Sequence, residues 1–259
     1  MKLYRRREKR VNKTRRGTAS PSSPSPIGSL YLVATPIGHP DDLTLRALRV
    51  LSEVDLIAAK QPESTRQLLM HHGIDKAVTS YGPLRLNDKI AILMARMKEG
   101  ACIALVSDCG TPILADPGCL LVAAAHRAGI PVQSIPGPSA LTAAVAISGF
   151  PCDDFQFQGA LPDTKSDLQC CLAQRVKQGT CAVLFCTPSS IAEALRTIAR
   201  LAPRRQLTLA CDLTTPAETT VRGTAGSTLK RLRAIRSAQA ITLILEGRKS
   251  VRRKRPKKR

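Results

Sequence analysis

Apolar residues in this chain fall into short blocks separated by polar turns rich in Gly and Pro. The first block, Leu30-Tyr31-Leu32-Val33-Ala34, is a continuous apolar run closed by a turn, which predicts a buried strand. A helix is predicted next, starting at Asp41 or Asp42, with Leu45, Leu48, Leu51 and Val54 as its apolar face. Residues 56–59 read as a second strand, 63–71 and 87–98 as helices, and 101–106 as the clearest buried strand. A helix over 119–127 closed by Gly129, a short strand over 132–135 and an apolar helix over 139–147 complete the first half. Such alternation argues for an α/β domain with a largely parallel sheet.

The rhythm changes near residues 149–154. Beyond them strands are predicted over 155–159, 182–186, 206–211, 221–224 and 241–246, with helices over 165–177, 191–201 and 227–235. This reads as a second α/β domain. The expected organisation is a basic arm and linker (1–28), an N-terminal domain (29–149), a C-terminal domain (150–247) and a basic tail (248–259). No internal repeat is evident.

The 259 residues suffice for two cores, and the 43% hydrophobic content is ordinary for a globular protein. The charge is not ordinary. Lys and Arg number 40 against 19 Asp and Glu, a net charge of +21. The excess sits at the ends: nine basic residues against the single acid Glu8 in 1–28, and nine against none in 248–259. What lies between is nearly neutral. The Pro/Ser-rich stretch 17–28 reads as a linker, and both basic ends read as disordered, because they hold too few apolar residues to build a core. Such ends suit a polyanion, nucleic acid first and an anionic membrane surface as the alternative; the Arg- and Ser-rich start also shares the composition of a transit peptide.

Several function classes drop out. There is no Trp and the aromatic content is 3%, which argues against base-stacking platforms for single strands. The start lacks the apolar segment of a secretory signal. The uncharged stretch 128–152 is long enough to span a bilayer, yet it holds four prolines and reads as a loop followed by a buried helix, with no membrane partner implied. Nine cysteines form no CxxC pair and share no zinc-type spacing with His, so no metal site is expected; they read as reduced, small core residues of a cytoplasmic protein.

The familiar nucleotide signatures GxGxxG and GxxxxGK[ST] are absent, as are HExxH and GxSxG. Three other loops stand out, each directly after a predicted strand of the first half. They are Thr35-Pro36-Ile37-Gly38-His39-Pro40-Asp41-Asp42-Leu43-Thr44, then Ser107-Asp108-Cys109-Gly110-Thr111-Pro112 continuing to Asp116-Pro117-Gly118, then Pro136-Gly137-Pro138-Ser139-Ala140. In a parallel sheet all three lie at the carboxyl edge of the strands, where open α/β sheets bind ligands. Gly and Pro make tight turns whose backbone approaches a ligand closely. Asp108 and Asp116 are acceptors placed for hydroxyl or amine groups.

Together these loops resemble the tetrapyrrole-methylase fold of S-adenosylmethionine-dependent methyltransferases, and more narrowly the ribosomal RNA small subunit methyltransferase I family. That family's TPIGNLxD(I/M)T corresponds to Thr35–Thr44, its VSDAGTPxxxDPG to Val106–Pro112 with Asp116-Pro117-Gly118, and its PGPSA to Pro136–Ala140. A weaker FxGxLP matches Phe157–Pro162, and a final strand ending in EG matches Glu246-Gly247. The likeness covers about residues 29–247. It implies two α/β domains with S-adenosylmethionine held in the cleft between them, a homodimer, and methyl transfer to the ribose 2′-oxygen of a decoding-region cytidine of 16S rRNA in the small ribosomal subunit. The residues it marks as cofactor-binding are Pro36, Gly38, Ser107, Asp108, Gly110, Thr111, Ser139 and Ala140, together with Leu213 and Thr214 from an ELT-like Asp212-Leu213-Thr214. Asp108 is the candidate catalytic residue; Asp116, His39 and Glu63 are the other groups able to accept the hydroxyl proton.

The chain departs from the family in two places. AEDTR is replaced by Ala59-Lys60-Gln61-Pro62-Glu63-Ser64-Thr65-Arg66, and the FYES-type segment by Phe185-Cys186-Thr187-Pro188-Ser189. His39-Pro40 also stands for Asn-Leu. Two competing readings remain: a methylase of corrin or porphyrin precursors, and a catalytically degenerate RNA-binding protein of ribosome assembly.

Overall fold

A computed structural model describes residues 27–231 and 237–248. The basic arm over 1–26, the tail over 249–259 and the end of the helix expected to reach residue 235 lie outside the described residues.

The first five strands, β1 (Leu30–Val33), β2 (Leu56–Ala59), β3 (Val78–Ser80), β4 (Ile103–Val106) and β5 (Val132–Ile135), form one sheet in the order β3-β2-β4-β1-β5. Every pairing in it is parallel. Each residue of β2 and β4 is buried, as expected of strands covered on both faces. Helices α1 (Leu45–Glu53) and α2 (Pro62–His71) supply one cover, where Ala47, Leu51 and Leu69 pack with Val33, Ile57 and Val106. Helices α3 (Leu86–Lys98) and α4 (Cys119–Arg127) supply the other, where Leu93, Met97 and Leu121 pack with Leu30, Ala58 and Leu105. From β1 the chain crosses β4 to reach β2, whereas from β4 it crosses β1 to reach β5. The strand order therefore reverses at the β4/β1 pair, which opens a crevice at their carboxyl ends.

The remaining strands, β6 (Phe155–Ala160), β7 (Cys181–Cys186), β8 (Gln206–Cys211), β9 (Thr219–Thr224) and β10 (Ile241–Leu245), form a second sheet in the order β6-β7-β10-β8-β9. Only β6 and β7 are parallel; β10 runs antiparallel to both neighbours. One face is covered by α6 (Lys165–Gln178), α7 (Ile191–Leu201) and α8 (Ala225–Lys230). The other face takes α5 (Ala140–Ser148), whose Ala144 packs with Val183, Ala210, Leu213 and Ile244. Helix α5 thus leaves the first sheet and seats itself on the second, joining the two.

Four expectations need correction. The first helix starts at Leu45, not at Asp41 or Asp42: Pro40–Asp42 makes a short 3-10 turn, and the Thr44 hydroxyl accepts the Ala47 N–H to cap α1. Its buried stripe is Ala47, Val50, Leu51 and Val54, while Leu45 is 86% exposed. Positions three apart drift by about 60° per step around a helix, so the Leu45–Leu48–Leu51–Val54 series cannot stay on one face. Strand β3 was not expected, because its three residues carry no buried apolar run. The cysteines are free, but only Cys181, Cys186 and Cys211 are buried; Cys109, Cys119 and Cys170 are exposed on loops and helix surfaces. Finally, α8 starts at Ala225, two residues before the expected Ser227, because the Thr224 hydroxyl caps it through the Ser227 N–H. No described helix is long and apolar enough to cross a membrane.

Candidate functional site

The three loops singled out in the sequence meet at the crevice. Thr35 and Gly110 exchange backbone hydrogen bonds of 2.9 and 3.1 Å. The buried Thr35 hydroxyl donates to the Ser107 carbonyl at 3.1 Å, and the Ser107 hydroxyl donates to the Gly110 carbonyl. The Thr111 hydroxyl donates to the Pro138 carbonyl at 3.4 Å, and the Cys109 thiol to the Ile37 carbonyl at 3.5 Å. Gly110 holds φ +82°, open to glycine without strain. Ile113 at φ +77° and Ala115 at φ +58° have no such freedom, so the loop between β4 and α4 is held in a costly conformation by its surroundings.

A cavity of about 280 Å³ lies between this loop cluster and the second sheet. Its first wall carries Lys60, Asp108, Cys109, Gly110, Thr111, Leu114, Ala115 and Asp116, followed by Ser139 and Ala140 at the start of α5. Its second wall is Phe185 and Cys186 at the end of β7 with Ala240, Ile241 and Thr242 at the start of β10. Antiparallel pairing of Ile241 with Cys186 is what puts these two segments side by side. A second hollow of about 360 Å³ opens on the other side of Asp108, between Pro36, Gly38, Pro40 and Ser107 and the α2 residues Ser64, Thr65, Gln67, Leu68 and His71.

The charges at the first cavity form one cluster. Lys60 Nζ lies 3.7 Å from Asp108 Oδ2 and 3.6 Å from Asp116 Oδ1. Asp108 Oδ1 also accepts the Gln61 N–H at 3.0 Å. Burial pushes the Asp116 carboxyl above the usual carboxylate range; Lys60 opposes that rise and Asp108 adds to it. Burial, reinforced by Asp108, likewise raises the Cys109 thiol. Among the described residues no group of three or more His, Cys, Asp or Glu could hold a metal ion.

The structure sorts the expected residues into three sets. Asp108, Gly110, Thr111, Ser139 and Ala140 line the inter-sheet cavity. Pro36, Gly38 and Ser107 line the second hollow, which Asp108 also borders. Leu213 and Thr214 line neither. They sit beneath the first loop: the His39 N–H donates to Thr214 Oγ1 at 2.9 Å, and a Cβ on Gly38 would come within 2.7 Å of that same oxygen. Asp212, one residue earlier, accepts the N–H groups of Gln239 and Ala240 at 2.8 and 2.9 Å, which links this turn to the second cavity wall. Of the other proton acceptors, Glu63 is exposed and paired with Arg66, and His39 caps the 3-10 turn through the Asp41 N–H; neither lines either space. Asp116 does line the inter-sheet cavity. The sequence reading missed Lys60 as a site residue and missed residues 240–242 altogether. Lys60 was visible only as a departure from a motif, and β10 reaches the cavity through strand order, for which its sequence carries no local signal.

The fold, a parallel sheet joined through α5 to a mixed second sheet, is shared with solved methyltransferases. A cobalt precorrin-4 methyltransferase superposes with a TM-score of 0.65 at 17% identity, covering 84% of this chain and 94% of that one. A uroporphyrin-III C-methyltransferase of Thermus thermophilus in complex with S-adenosyl homocysteine gives 0.58 at 20% identity, covering 84% and 97%. The family model of the tetrapyrrole (corrin/porphyrin) methylases matches residues 29–229. The chain belongs to that family and, within it, to the ribosomal RNA small subunit methyltransferase I group. The Thermotoga maritima protein of that name is 37% identical over 221 residues, 85% of this chain and 99% of the relative. The one from Neisseria meningitidis serogroup B is 38% identical over 202 residues, 77% of this chain and 68% of the relative.

Proposed function

We propose that this chain transfers a methyl group from S-adenosylmethionine to the ribose 2′-hydroxyl of a decoding-region cytidine, cytidine 1402, of 16S rRNA in the small ribosomal subunit. The observation that carries the reading is the place of Asp108, which borders two spaces at once: the inter-sheet cavity and the hollow against α2. A methyl donor on one side and an acceptor on the other would meet at this residue.

The cavity fits the donor. Leu114, Ala140, Phe185 and Ile241 offer apolar surface for a base, and Thr111, Ser139 and Thr242 offer hydroxyls. Its charged lining of two carboxylates and one ammonium suits a ligand of net charge +1. Gly110, Thr111, Ser139 and Ala140 are the residues that would hold it, with Pro36, Gly38 and Ser107 shaping the far side of Asp108; Leu213 and Thr214 would act from beneath, by fixing the first loop. When bound, S-adenosylmethionine supplies an activated methyl group on a sulfonium.

The chain's own contribution is position and proton transfer. A ribose hydroxyl is a weak nucleophile at neutral pH, so holding it in line supplies much of the acceleration. Asp108 would accept its proton, which contributes a further ~10²–10⁴-fold. The basic segments 1–28 and 248–259 would bind RNA backbone, and a homodimer in the cytoplasm is the assembly this reading carries. The division at residues 149–150 follows the same reading, with α5 as the piece that bridges the two domains.

The test is methyl transfer from labelled S-adenosylmethionine to small subunits lacking 2′-O-methylation, with the modified nucleotide mapped. Label at one decoding-region cytidine ribose is the expected result. Intact cofactor and subunit binding without label would instead make the chain a degenerate RNA binder. Methylation of a precorrin would favour a tetrapyrrole substrate.

A further inference from the structure

Among the described residues, Lys60 is the single cation on the lining of the inter-sheet cavity, and it lies within 4 Å of both anions there. It stands in the loop after β2, whereas Asp108 and Asp116 belong to the loop after β4, so the cluster spans two crossovers of the first sheet. Asp108 has a second partner in the Gln61 N–H. Among the described residues, Asp116 pairs with Lys60 alone, although its side chain is only 11% exposed. A carboxylate so placed depends on its one cation to stay ionised. Where the family motif continues from alanine with two acids, this chain has Lys60-Gln61, and Lys60 is the residue that pairs with both carboxylates.

We propose that Lys60 is a positioning residue that holds Asp108 and Asp116 as an ionised pair at the cavity and thereby sets how strongly the site prefers the sulfonium S-adenosylmethionine over its uncharged-sulfur product S-adenosylhomocysteine. The inference rests on the cofactor reading given above. S-adenosylmethionine has a sulfonium, an ammonium and a carboxylate, net +1; the product keeps the last two and is net neutral. With Lys60 the charged lining is net −1, which favours the donor over the net-neutral product. The other titratable groups near Asp116 are the Cys109 and Cys186 thiols, both raised by burial, the latter to about 12, and so uncharged near neutrality. The charge at the cavity therefore changes with Asp116, and Lys60 sets the pH of that change.

The experiment measures the Kd of the full-length chain for S-adenosylmethionine and for S-adenosylhomocysteine by calorimetry, from about pH 3 to 9, in the wild type, Lys60→Met and Lys60→Arg. In the wild type the preference for the donor should fall on the acid side as Asp116 takes up its proton. In Lys60→Met that fall should move to higher pH, and the preference on its alkaline side should grow roughly tenfold, as expected for one more uncompensated charge near the sulfonium. Lys60→Arg should restore the wild-type profile. A methionine variant with the wild-type midpoint and the wild-type alkaline preference would overturn the proposal and leave Lys60 a solvated side chain. A wild type that binds neither ligand would overturn it in a different way, by removing the cofactor reading beneath it. If Lys60→Met does not fold, Lys60→Gln removes the same charge, and the same profile decides.

Discussion

The N–H of His39 donates to the hydroxyl of Thr214 at 2.9 Å, and this bond ties the loop after β1 of the first sheet to the turn after β8 of the second. The contact is close because Gly38 has no side chain: a Cβ there would stand 2.7 Å from both Thr214 Oγ1 and Thr215 Cγ2 and closer still to the Leu213 carbonyl. Backbone on the far side cannot move aside as a flexible side chain would. Gly38→Ala should therefore destabilise the fold by about 1–3 kcal/mol and weaken cofactor binding by shifting the first loop. Gly226→Ala is the control, since nothing lies within 4 Å of the added methyl in α8; it should leave binding intact and raise stability by about 0.4–1 kcal/mol. Denaturant unfolding and ligand titration of the two variants measure both effects.

Asp116→Asn should make the protein more stable at pH 7 and less able to bind S-adenosylmethionine. Burial raises the native Asp116 pKa above its ordinary value of 3.8. Between those two values the native state binds more protons than the unfolded state, so this group's contribution falls as pH rises through that window. Its stabilising share is complete below 3.8, and above the native value the ionised carboxylate weighs against the fold. The gain from the Asn variant should thus appear at neutral pH and vanish below pH 3.8, as read by thermal unfolding against pH. Loss of binding alongside gain of stability is what a site built around a strained charge should show.

The line between what sequence reveals and what it conceals runs through these same residues. Gly110 and Pro136–Ala140 announce tight turns because their residue types permit little else, and the apolar runs around Ile57 and Leu105 announce strands covered on both faces. Leu45 misled, since residue type alone does not tell which helix face meets the core. Strand β3 left no trace because Val78–Ser80 is a partly exposed edge, held by pairing with Ile57–Ala59 and not by its own burial. Lys60 and residues 240–242 acquire their place at the cavity only from which strand lies beside which, and that depends on the whole sheet.

The nine thiols should separate sharply by reactivity. Cys181 and Cys186 are pushed up to about 12 and Cys211 to about 11, in each case chiefly by burial. Near pH 8 essentially none of these is thiolate, the reactive form. Alkylation of the folded protein at that pH, followed by mass spectrometry, should label the exposed Cys119 and Cys170 first, with exposed Cys109 slower because its thiol is raised as well. Cys181, Cys186 and Cys211 should react only after unfolding. Early labelling of Cys186 would mean that the second cavity wall opens in solution.

Removal of residues 249–259 should weaken binding to small subunits far more than it slows methyl transfer on a saturating subunit. The start of β10, Ile241 and Thr242, lies on the cavity wall, and the strand then runs away from it to Leu245, with Arg248 bonded to the Gly179 carbonyl at the far end of the second sheet. At about 3.3 Å per residue, Arg248 lies some 15–20 Å along the chain from the cavity wall at Thr242. It carries eight Lys and Arg beyond Arg248. Each phosphate they neutralise releases counterions and steepens the salt dependence of binding by about 0.7–0.9 in a log–log plot. The truncated chain should therefore show a raised KM for subunits at low salt, an unchanged kcat, and a shallower salt slope that converges with the full-length protein as salt increases. A fall in kcat with no change in slope would instead put the tail at the active site.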